Sequence, residues 1–285
     1  MTNLVEVAGL CKRYDSFTLD HIDLTVPEGQ IVGLIGENGA GKTTTIKSIL
    51  GVVRPDGGTI RLMGKPSGDK GALEKVGVVF EDSYFNGVLT PSQIDRILQG
   101  IRPDWDSVKF RRDCEAFGLD HRKKIKDFSR GMRMKLSLAT ALASHPRLLV
   151  MDEATSGLDP VVRGEILDIF LEFIQDEGCG ILLSSHITTD LERVADQIAY
   201  IHRGRLLFQR DKDELLQETA IVRAPEALLS RLPEELVMVR KTGGSGGSAA
   251  LVRDPGTVRR LLPDAVIDRT SIDEMMQFYG GRDAE

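Results

Sequence analysis

The sequence predicts an α/β protein built around a parallel sheet. Two continuous apolar runs, "RLLVMDEA" and "CGILLSSH", are bounded by turn signals, as expected for parallel strands that are covered on both faces. The segment "GEILDIFLEFIQDEG" lies between them and has helical periodicity, which indicates a βαβ unit. A third apolar strand, "QIVGLIG", leads through a glycine-rich turn into the helix "KTTTIKSILG", which Gly51 ends. This alternation of strands and helices is typical of the α/β class.

Further segments surround this centre. "TLDHIDLTV" alternates apolar and polar residues and predicts a half-buried strand, whereas "KVGVVF" predicts another buried strand. Residues from about Glu81 to Met134 are mostly polar and helical, with breaks at Pro91 and Pro103. "IAYIHRGRLLFQ" predicts a hairpin that turns at Arg203 and Gly204.

Beyond about Asp211 the character of the chain changes. The segments "AIVRA", "ALLSRL", "ELVMVRK", "AALVRD", "GTVRRLL" and "AVIDRT" predict strand, helix, strand, strand, helix and strand. This is the order of a small split βαβ domain, and "SIDEMMQFY" predicts a closing helix. The stretch "TGGSGGSA" predicts a flexible hairpin tip, because no Lys-Ser/Thr pair or helix start follows it as a phosphate loop requires.

Composition excludes several classes of protein. The chain has 285 residues, a net charge of −6 and a pI near 5.5, which argue against nucleic acid as the main partner. Its three cysteines are far apart and form no C-x-x-C pair, which fits a reducing compartment and indicates no metal site. The first residues lack the features of a secretory signal, and no apolar run is long enough to cross a bilayer. We therefore expect a cytosolic protein.

The strongest chemical signal is "GENGAGKTT". Gly36, Gly41, Lys42 and Thr43 match the phosphate-loop pattern G-x-x-x-x-G-K-[ST] between a buried strand and a helix. Glycines allow successive N–H groups to converge on a phosphate, to which the helix N-terminus adds a positive end. We expect Lys42 to bridge the β- and γ-phosphates of a nucleotide and Thr43 to ligate Mg²⁺. The other nucleotide-binding residues expected in this loop are Asn38, Gly39, Ala40 and Thr44.

A second signal is "LLVMDEATSGLDP". Asp152 ends an apolar strand, where its carboxylate can hold Mg²⁺ through water in a sheet shared with Thr43. Glu153 follows directly and can reach the water that attacks a γ-phosphate, as base or orienting group. An acidic pair at a solvated strand end is the alternative interpretation, but the phosphate loop favours the functional one.

Together these motifs closely resemble those of the ATP-binding cassette (ABC) ATPases. The resemblance covers about residues 3 to 215 and implies a RecA-like P-loop NTPase core with an antiparallel β subdomain and an inserted helical subdomain. It implies that Asp159 in "SGLDP" communicates between two paired nucleotide domains and that His186 contacts the γ-phosphate. It also implies that Tyr14 stacks on adenine, with an ordinary surface aromatic residue as the alternative.

The resemblance also predicts the domain organisation. Residues 1–80 and 140–215 form the ATP-binding core with its N-terminal β subdomain, and residues 81–139 form the helical subdomain. Residues 216–285 form a small C-terminal α+β appendage of unassigned role.

One position departs from the family pattern at the end of the strand "KVGVVF". The family usually has Gln there as a Mg²⁺ ligand that couples to the helical subdomain, whereas this chain has Glu81. A carboxylate oxygen still suits Mg²⁺, but it adds negative charge near the γ-phosphate. We therefore expect Glu81 to bind the metal and the nucleotide with altered coupling.

The second departure lies in "DFSRGMRMKLSLATAL", at the position of the family signature Leu-Ser-Gly-Gly-Gln. Ser129 and Gly131 are retained, and the resemblance implies that they touch the γ-phosphate held by a partner subunit. Arg130 replaces a glycine at the start of a helix, where a cation opposes the helix dipole by about 0.3–1 kcal/mol. That effect is offset if the guanidinium faces a carboxylate or the phosphates across a dimer interface, so Arg130 favours a nucleotide-sandwich dimer.

The implied function is ATP hydrolysis, with ATP and Mg²⁺ as cofactors, that drives an exporter. A single cassette with a small C-terminal appendage resembles the ABC-2-type exporters. Within that group, the signature form Ser-Arg-Gly-Met resembles that of exporters for amphipathic or antimicrobial peptides of the phenol-soluble modulin and lantibiotic types. The implied partners are a transmembrane permease on a separate chain and a second ATPase subunit, in a homodimer. This places the chain at the cytoplasmic face of the membrane, in contact with the membrane only through the permease. Two alternatives stay open, a soluble ABC ATPase acting on ribosomes or DNA and a regulatory nucleotide-binding module.

Overall fold

The computed structural model describes residues 2–81, 84–241 and 247–280, and the chain divides into two compact units. The first unit runs to Ala195 and includes Ala199–Phe208, and the second comprises Asp196–Ile198 and the residues from Gln209 onward. Each unit has its own hydrophobic core.

The described residues up to Asp211 form ten strands and seven α-helices. The strands are β1 Asn3–Arg13, β2 Thr18–Pro27, β3 Ile31–Ile35, β4 Gly57–Leu62, β5 Lys65–Pro66, β6 Val76–Phe80, β7 Leu148–Asp152, β8 Gly180–Ser185, β9 Gln197–His202 and β10 Arg205–Asp211. The helices are α1 Lys42–Ile49, α2 Lys70–Leu73, α3 Pro91–Ile101, α4 Ser107–Ala116, α5 Arg130–Leu142, α6 Pro160–Phe173 and α7 Thr188–Val194.

The central sheet has six strands in the order β10-β9-β3-β8-β7-β6. Strands β3, β8, β7 and β6 pair in parallel, and every residue of β3, β7 and β8 is buried. This explains their continuous apolar sequences, because helices cover both faces of a parallel sheet. The carboxyl ends of β3, β7 and β8 therefore lie side by side, which sets the position of the loops that follow them.

A second sheet is antiparallel, in the order β2-β1-β4-β5. The alternation predicted for β2 is present from Ile22 onward, with Ile22, Leu24 and Val26 buried in the core that also holds Val32 and Leu34 of β3. The hairpin predicted at Arg203 and Gly204 is also present. Both turn residues have positive φ values, +47° and +79°, as a tight two-residue hairpin requires.

The helical segment from α3 to α5 has a separate core of Ile94, Phe110, Leu119, Phe128 and Leu136. One helix boundary differs from the prediction, because α6 begins at Pro160 rather than near Gly164. The carboxylate of Asp159 caps its first turn and the fixed φ of Pro160 suits that turn, so the helix starts earlier than its apolar periodicity indicates.

Beyond Asp211, the described residues form four α-helices and four strands. The helices are α8 Lys212–Glu218, α9 Glu226–Leu229, α10 Pro255–Leu261 and α11 Ile272–Gly280, and the strands are β11 Thr219–Arg223, β12 Val237–Lys241, β13 Ala249–Arg253 and β14 Val266–Arg269. The antiparallel sheet has the order β12-β13-β11-β14. From β11 to β14 the elements follow the predicted order of a split βαβ domain, and α11 is the predicted closing helix. Most of the glycine-rich segment predicted as a hairpin tip, residues 242–246, lies outside the described residues.

Within the described residues, no helix combines the length and the apolar character that crossing a membrane requires.

Candidate functional site

The phosphate-loop motif forms the connection between β3 and α1. Gly41 is the N-cap of α1 with a φ of +118°, a conformation that side chains rarely adopt. Gly36 is required for a different reason, because the backbone of Ile201 approaches it closely. A Cβ at this position would lie 2.3 Å from the carbonyl oxygen of Ile201. Because Gly41 has no side chain to cap the helix, the first N–H groups of α1 are left for a ligand.

Lys42 is the first residue of α1, and its ammonium is buried, with 5% of the side chain exposed. Its Nζ donates hydrogen bonds to the carbonyl oxygens of Gly36 at 2.7 Å and Glu37 at 3.3 Å. Nζ also lies 3.1 Å from Oε1 of Glu153, an ion pair in which that oxygen has no well-directed hydrogen bond. A phosphate therefore competes with Glu153 for this cation.

Glu153 directly follows β7 and has a φ of +54°, which is uncommon outside glycine and aims its side chain toward the phosphate loop. Its Oε2 lies 2.6 Å from Nδ1 of His186, which follows β8. The parallel pairing of β7 with β8 brings these two side chains together, and the predicted contact of His186 with a γ-phosphate stays a prediction. Lys42, Glu153 and His186 thus form one contiguous polar cluster.

Asp152 ends β7 and has 6% of its surface exposed. Its Oδ1 accepts a hydrogen bond from the Ser184 hydroxyl at 2.5 Å, which orients the carboxylate. Thr43 on α1 is exposed. The hydroxyl of Thr43 and the carboxylates of Asp152 and Glu81 are all hard oxygen donors, the ligand type that Mg²⁺ prefers, so the donor chemistry fits this ion.

A cavity of about 530 Å³ opens beside the loop. It is lined by Ser16, Phe17, Glu37, Asn38, Gly39, Gly41, Lys42, Thr43, Thr44, Glu81 and Glu153. Of the residues predicted to bind nucleotide, the cavity thus gathers most of the loop together with Glu81 and Glu153. Ala40 instead lines a neighbouring cavity, which also includes Phe17, Asn38 and Gly39.

The aromatic residue at these cavities is Phe17, which the sequence interpretation missed. Tyr14 lies outside the lining of both cavities, is 44% exposed, and has the ammonium of Lys12 at 5.7 Å from its ring centre. Phe17 is three residues further on, in the same β1–β2 connection. A second aromatic residue so close to Tyr14 was the available signal, and sequence alone does not decide which ring faces the loop.

The signature residues begin helix α5. Ser129 is the N-cap, and its hydroxyl accepts a hydrogen bond from the Met132 N–H at 3.2 Å. Gly131 is buried, and a Cβ there would lie 2.8 Å from Cγ1 of Val162 on α6. Both residues therefore have local structural reasons for their identity, apart from the predicted contact with a partner's nucleotide.

Arg130 finds a carboxylate in its own chain. Its Nη2 donates a hydrogen bond to Oε1 of Glu81 at 2.9 Å, although the two residues are 49 positions apart. This is the first of the two anions considered for the guanidinium, and it joins the two positions at which the sequence departs from the family pattern.

Asp159 has a capping role in the structure. Its Oδ1 accepts hydrogen bonds from the N–H groups of Val161 at 3.2 Å and Val162 at 3.0 Å. This explains Asp159 as a helix start, and its predicted role between paired domains stays a prediction.

Cys11, Asp20 and His21 form a group that the sequence interpretation did not anticipate, since it expected no metal site at the cysteines. Their potential ligand atoms lie within 4.8 Å of one another across an irregular register of β1 and β2. The guanidinium of Arg205 contacts Oδ2 of Asp20 at 2.7 Å, however, and this positive charge opposes a cation there.

The fold and the polar cluster of Lys42, Glu153 and His186 define a P-loop nucleotide-binding protein. Similarity to known proteins identifies the family within this class. The family described as ABC transporter matches residues 19–156. The bacitracin transport ATP-binding protein BcrA of Enterococcus faecalis is 35% identical over 220 residues, which cover 75% of this chain and 71% of that protein. The lantibiotic transport ATP-binding protein SrtF of Streptococcus pyogenes is 31% identical over 219 residues, which cover 74% of this chain and 92% of that protein. A solved ATP-binding subunit of an ABC transporter has 29% identity and a TM-score of 0.68, covering 75% of this chain and 92% of that one.

The chain therefore belongs to the ABC transporter family, as an ATP-binding subunit. The predicted α/β cassette fold is confirmed. The domain binds ATP, and ATP hydrolysis coupled to transport is the activity of its homologues.

Proposed function

We propose that this chain is the ATP-hydrolysing subunit of a membrane exporter and drives a permease encoded as a separate chain. The observation that carries the proposal is the cluster of Lys42, Glu153 and His186 at the phosphate loop. It combines a cation for phosphate, a carboxylate that can accept a proton, and an imidazole that orients that carboxylate. A module that only senses nucleotide has no need of the last two groups.

The cluster supports a sequence of steps on ATP. Lys42 exchanges Glu153 for the β- and γ-phosphate oxygens, which frees the carboxylate. Glu153 then orients a water and accepts its proton as the new O–P bond forms and the bond from the γ-phosphorus to the bridging oxygen breaks. His186 keeps Glu153 oriented through Nδ1, and we assign it the contact with the γ-phosphate.

We assign Mg²⁺ to the oxygen donors of Thr43, Asp152 and Glu81. The metal supplies charge neutralisation on the β- and γ-phosphate oxygens when it is bound. Ser184 supports this assignment, because its hydroxyl orients Asp152.

ATP-binding subunits of this family dimerise and work with a separate permease. We infer a homodimer here, in which Ser129 and Gly131 of one copy face the phosphate loop of the other and Asp159 lies at the contact. The chain supports this by carrying both halves of such a composite site, the loop before α1 and the start of α5.

For the cargo we propose amphipathic or antimicrobial peptides. Two relatives support this class, since their names state transport of bacitracin and of a lantibiotic. Such a subunit works at the cytoplasmic face of the membrane through its permease. We assign residues 1–80 and 140–215 to the ATP-binding core, residues 81–139 to the helical subdomain and residues 216–285 to an accessory domain.

The test has two parts. The purified chain should hydrolyse ATP, and Glu153→Gln and Lys42→Ala should abolish turnover, whereas Glu235→Gln, an exposed carboxylate of the second unit, should not. In its native host, the tagged chain should co-purify with a membrane protein encoded beside it. Hydrolysis that survives Glu153→Gln would refute the assigned chemistry, and purification with ribosomes instead of a membrane protein would refute the exporter.

A further inference from the structure

We propose that Arg130 acts within its own chain by neutralising Glu81, and that it thereby sets how strongly this carboxylate holds a divalent cation beside the phosphate loop. The proposal rests on the proposed function, in which Glu81 is a metal ligand. It makes Arg130 a positioning residue that works through Glu81, whereas the sequence alone left a carboxylate and nucleotide phosphates as possible partners and favoured a nucleotide-sandwich dimer.

The first observation is the ion pair itself. Nη2 of Arg130 lies 2.9 Å from Oε1 of Glu81, which also lines the cavity beside the loop. A divalent cation and the guanidinium therefore compete for the same carboxylate. Because 41% of the Arg130 side chain and 50% of the Glu81 side chain are exposed, solvent screens the pair and the competition is modest rather than prohibitive.

The second observation is the seat of the guanidinium on Gly157, in the loop between β7 and α6. A Cβ at Gly157 would lie 2.7 Å from Nη1, 2.9 Å from Cζ and 3.4 Å from Nε of Arg130. The guanidinium thus packs against the Gly157 backbone, and the side chain of a larger residue at position 157 would clash with it. This contact holds Arg130 toward Glu81 and links three segments that surround the cavity, namely the end of β6, the start of α5 and the loop after β7.

The charges at the cavity supply the third step. The cavity lining contains the ammonium of Lys42 and the carboxylates of Glu37, Glu81 and Glu153, and Lys42 is already paired with Glu153. An uncompensated Glu81 would repel the phosphates of a nucleotide but would attract a divalent cation. Neutralisation by Arg130 reduces both the repulsion of the phosphates and the attraction of the cation by Glu81.

The opposite signs of these two effects give a specific test. The probe is the non-hydrolysable analogue AMP-PNP, whose dissociation constant is measured by calorimetry with EDTA and with saturating Mg²⁺. The constant with EDTA divided by the constant with Mg²⁺ reports the coupling between metal and nucleotide, and a higher ratio means stronger coupling. The proteins are the wild type, Glu81→Gln, Arg130→Gln, the double variant and Arg130→Lys, each at a concentration at which sedimentation shows the monomer.

Arg130→Gln should raise this ratio about two- to fivefold, because the freed carboxylate repels metal-free nucleotide and holds Mg²⁺ more firmly. The same substitution in the Glu81→Gln background should leave the ratio unchanged. Arg130→Lys keeps the charge and should stay near the wild type. Arg193→Gln is the matched control, because it removes an arginine of similar exposure that pairs with Asp168, and it should have no effect.

Several outcomes would overturn the proposal. An unchanged or lowered ratio in Arg130→Gln would do so, as would an equal increase in the Glu81→Gln background, since Arg130 would then act independently of Glu81. Coupling that appears only where sedimentation shows a dimer would return Arg130 to a contact between subunits. If the wild type does not bind AMP-PNP with Mg²⁺, the proposed function fails together with this inference. Normal wild-type binding with an additive cycle rejects the inference alone.

Discussion

Replacing Glu153 by Gln should tighten nucleotide binding as well as stop hydrolysis. In the structure Glu153 holds the buried ammonium of Lys42, with Nζ and Oε1 3.1 Å apart, and the two side chains are 5% and 13% exposed. We expect ATP to compete with this contact for Lys42. In the Gln variant the neutral amide competes with the phosphates much less.

The contacts of Lys42 set the size of this effect. Coupling energies of close charge pairs are about 1.5–7 kcal/mol. Lys42 keeps its carbonyl acceptors on Gly36 and Glu37 in the variant, so the ammonium is not left without partners and the lower end applies. A value of about 1.5 kcal/mol corresponds to about a tenfold lower dissociation constant for ATP.

Calorimetry with Mg²⁺ and AMP-PNP measures this change under conditions where neither protein turns over. Glu37→Gln is the matched control, because Glu37 lines the same cavity and is exposed, and its carboxylate is not the one that contacts Lys42. This variant should tighten binding far less than Glu153→Gln. If the two variants tighten binding equally, or if Glu153→Gln leaves affinity unchanged, the Lys42–Glu153 contact does not oppose nucleotide binding and the reasoning is wrong.

Three further predictions concern the base contact, the imidazole and the thiols. Phe17→Ala should weaken AMP-PNP binding by about 1–3 kcal/mol, the usual contribution of stacking on a base. Tyr14→Ala should not weaken binding, since of these two residues only Phe17 lines the cavities. If calorimetry shows the larger loss in Tyr14→Ala, the stacking role belongs to Tyr14. His186→Ala should lower ATP turnover about 10²-fold in steady-state kinetics with little change in nucleotide affinity, and a matching loss of affinity would show that it mainly binds. Burial raises the pKa of the Cys114 thiol to about 12. A thiol reagent at about pH 8 should therefore modify half-buried Cys11 and spare Cys114. Mass spectrometry that finds Cys114 modified in the folded protein would contradict this.

Local sequence was sufficient for the elements of the central sheet. Strands β3, β7 and β8 are short apolar runs that are buried over their whole length, and the glycine pattern placed the phosphate loop between β3 and α1. The start of α6 was predicted less well, because Asp159 and Pro160 begin the helix before its apolar periodicity is visible.

The contacts within the site needed the folded chain. The ion pair between Arg130 and Glu81 joins residues 49 positions apart, and no local pattern indicates which carboxylate an arginine meets. The choice between Tyr14 and Phe17 depends on the course of the β1–β2 connection beside the loop. In the same way, the sequence assigned Gly131 to a partner's nucleotide, whereas its close packing against Val162 appears only when α5 and α6 are brought together.

By itself the sequence determined that this protein has a phosphate loop followed by acidic residues at a strand end, because glycine backbones and apolar strands impose their requirements over a few neighbouring positions. Only the tertiary structure decided how the charges pair. The register of β7 with β8 brings Glu153 to His186, and the fold of the loop turns Lys42 onto Glu153. Electrostatic interactions depend on distance in space and not on separation along the chain, which is why the pairing of Arg130 with Glu81 could not be obtained from the sequence alone.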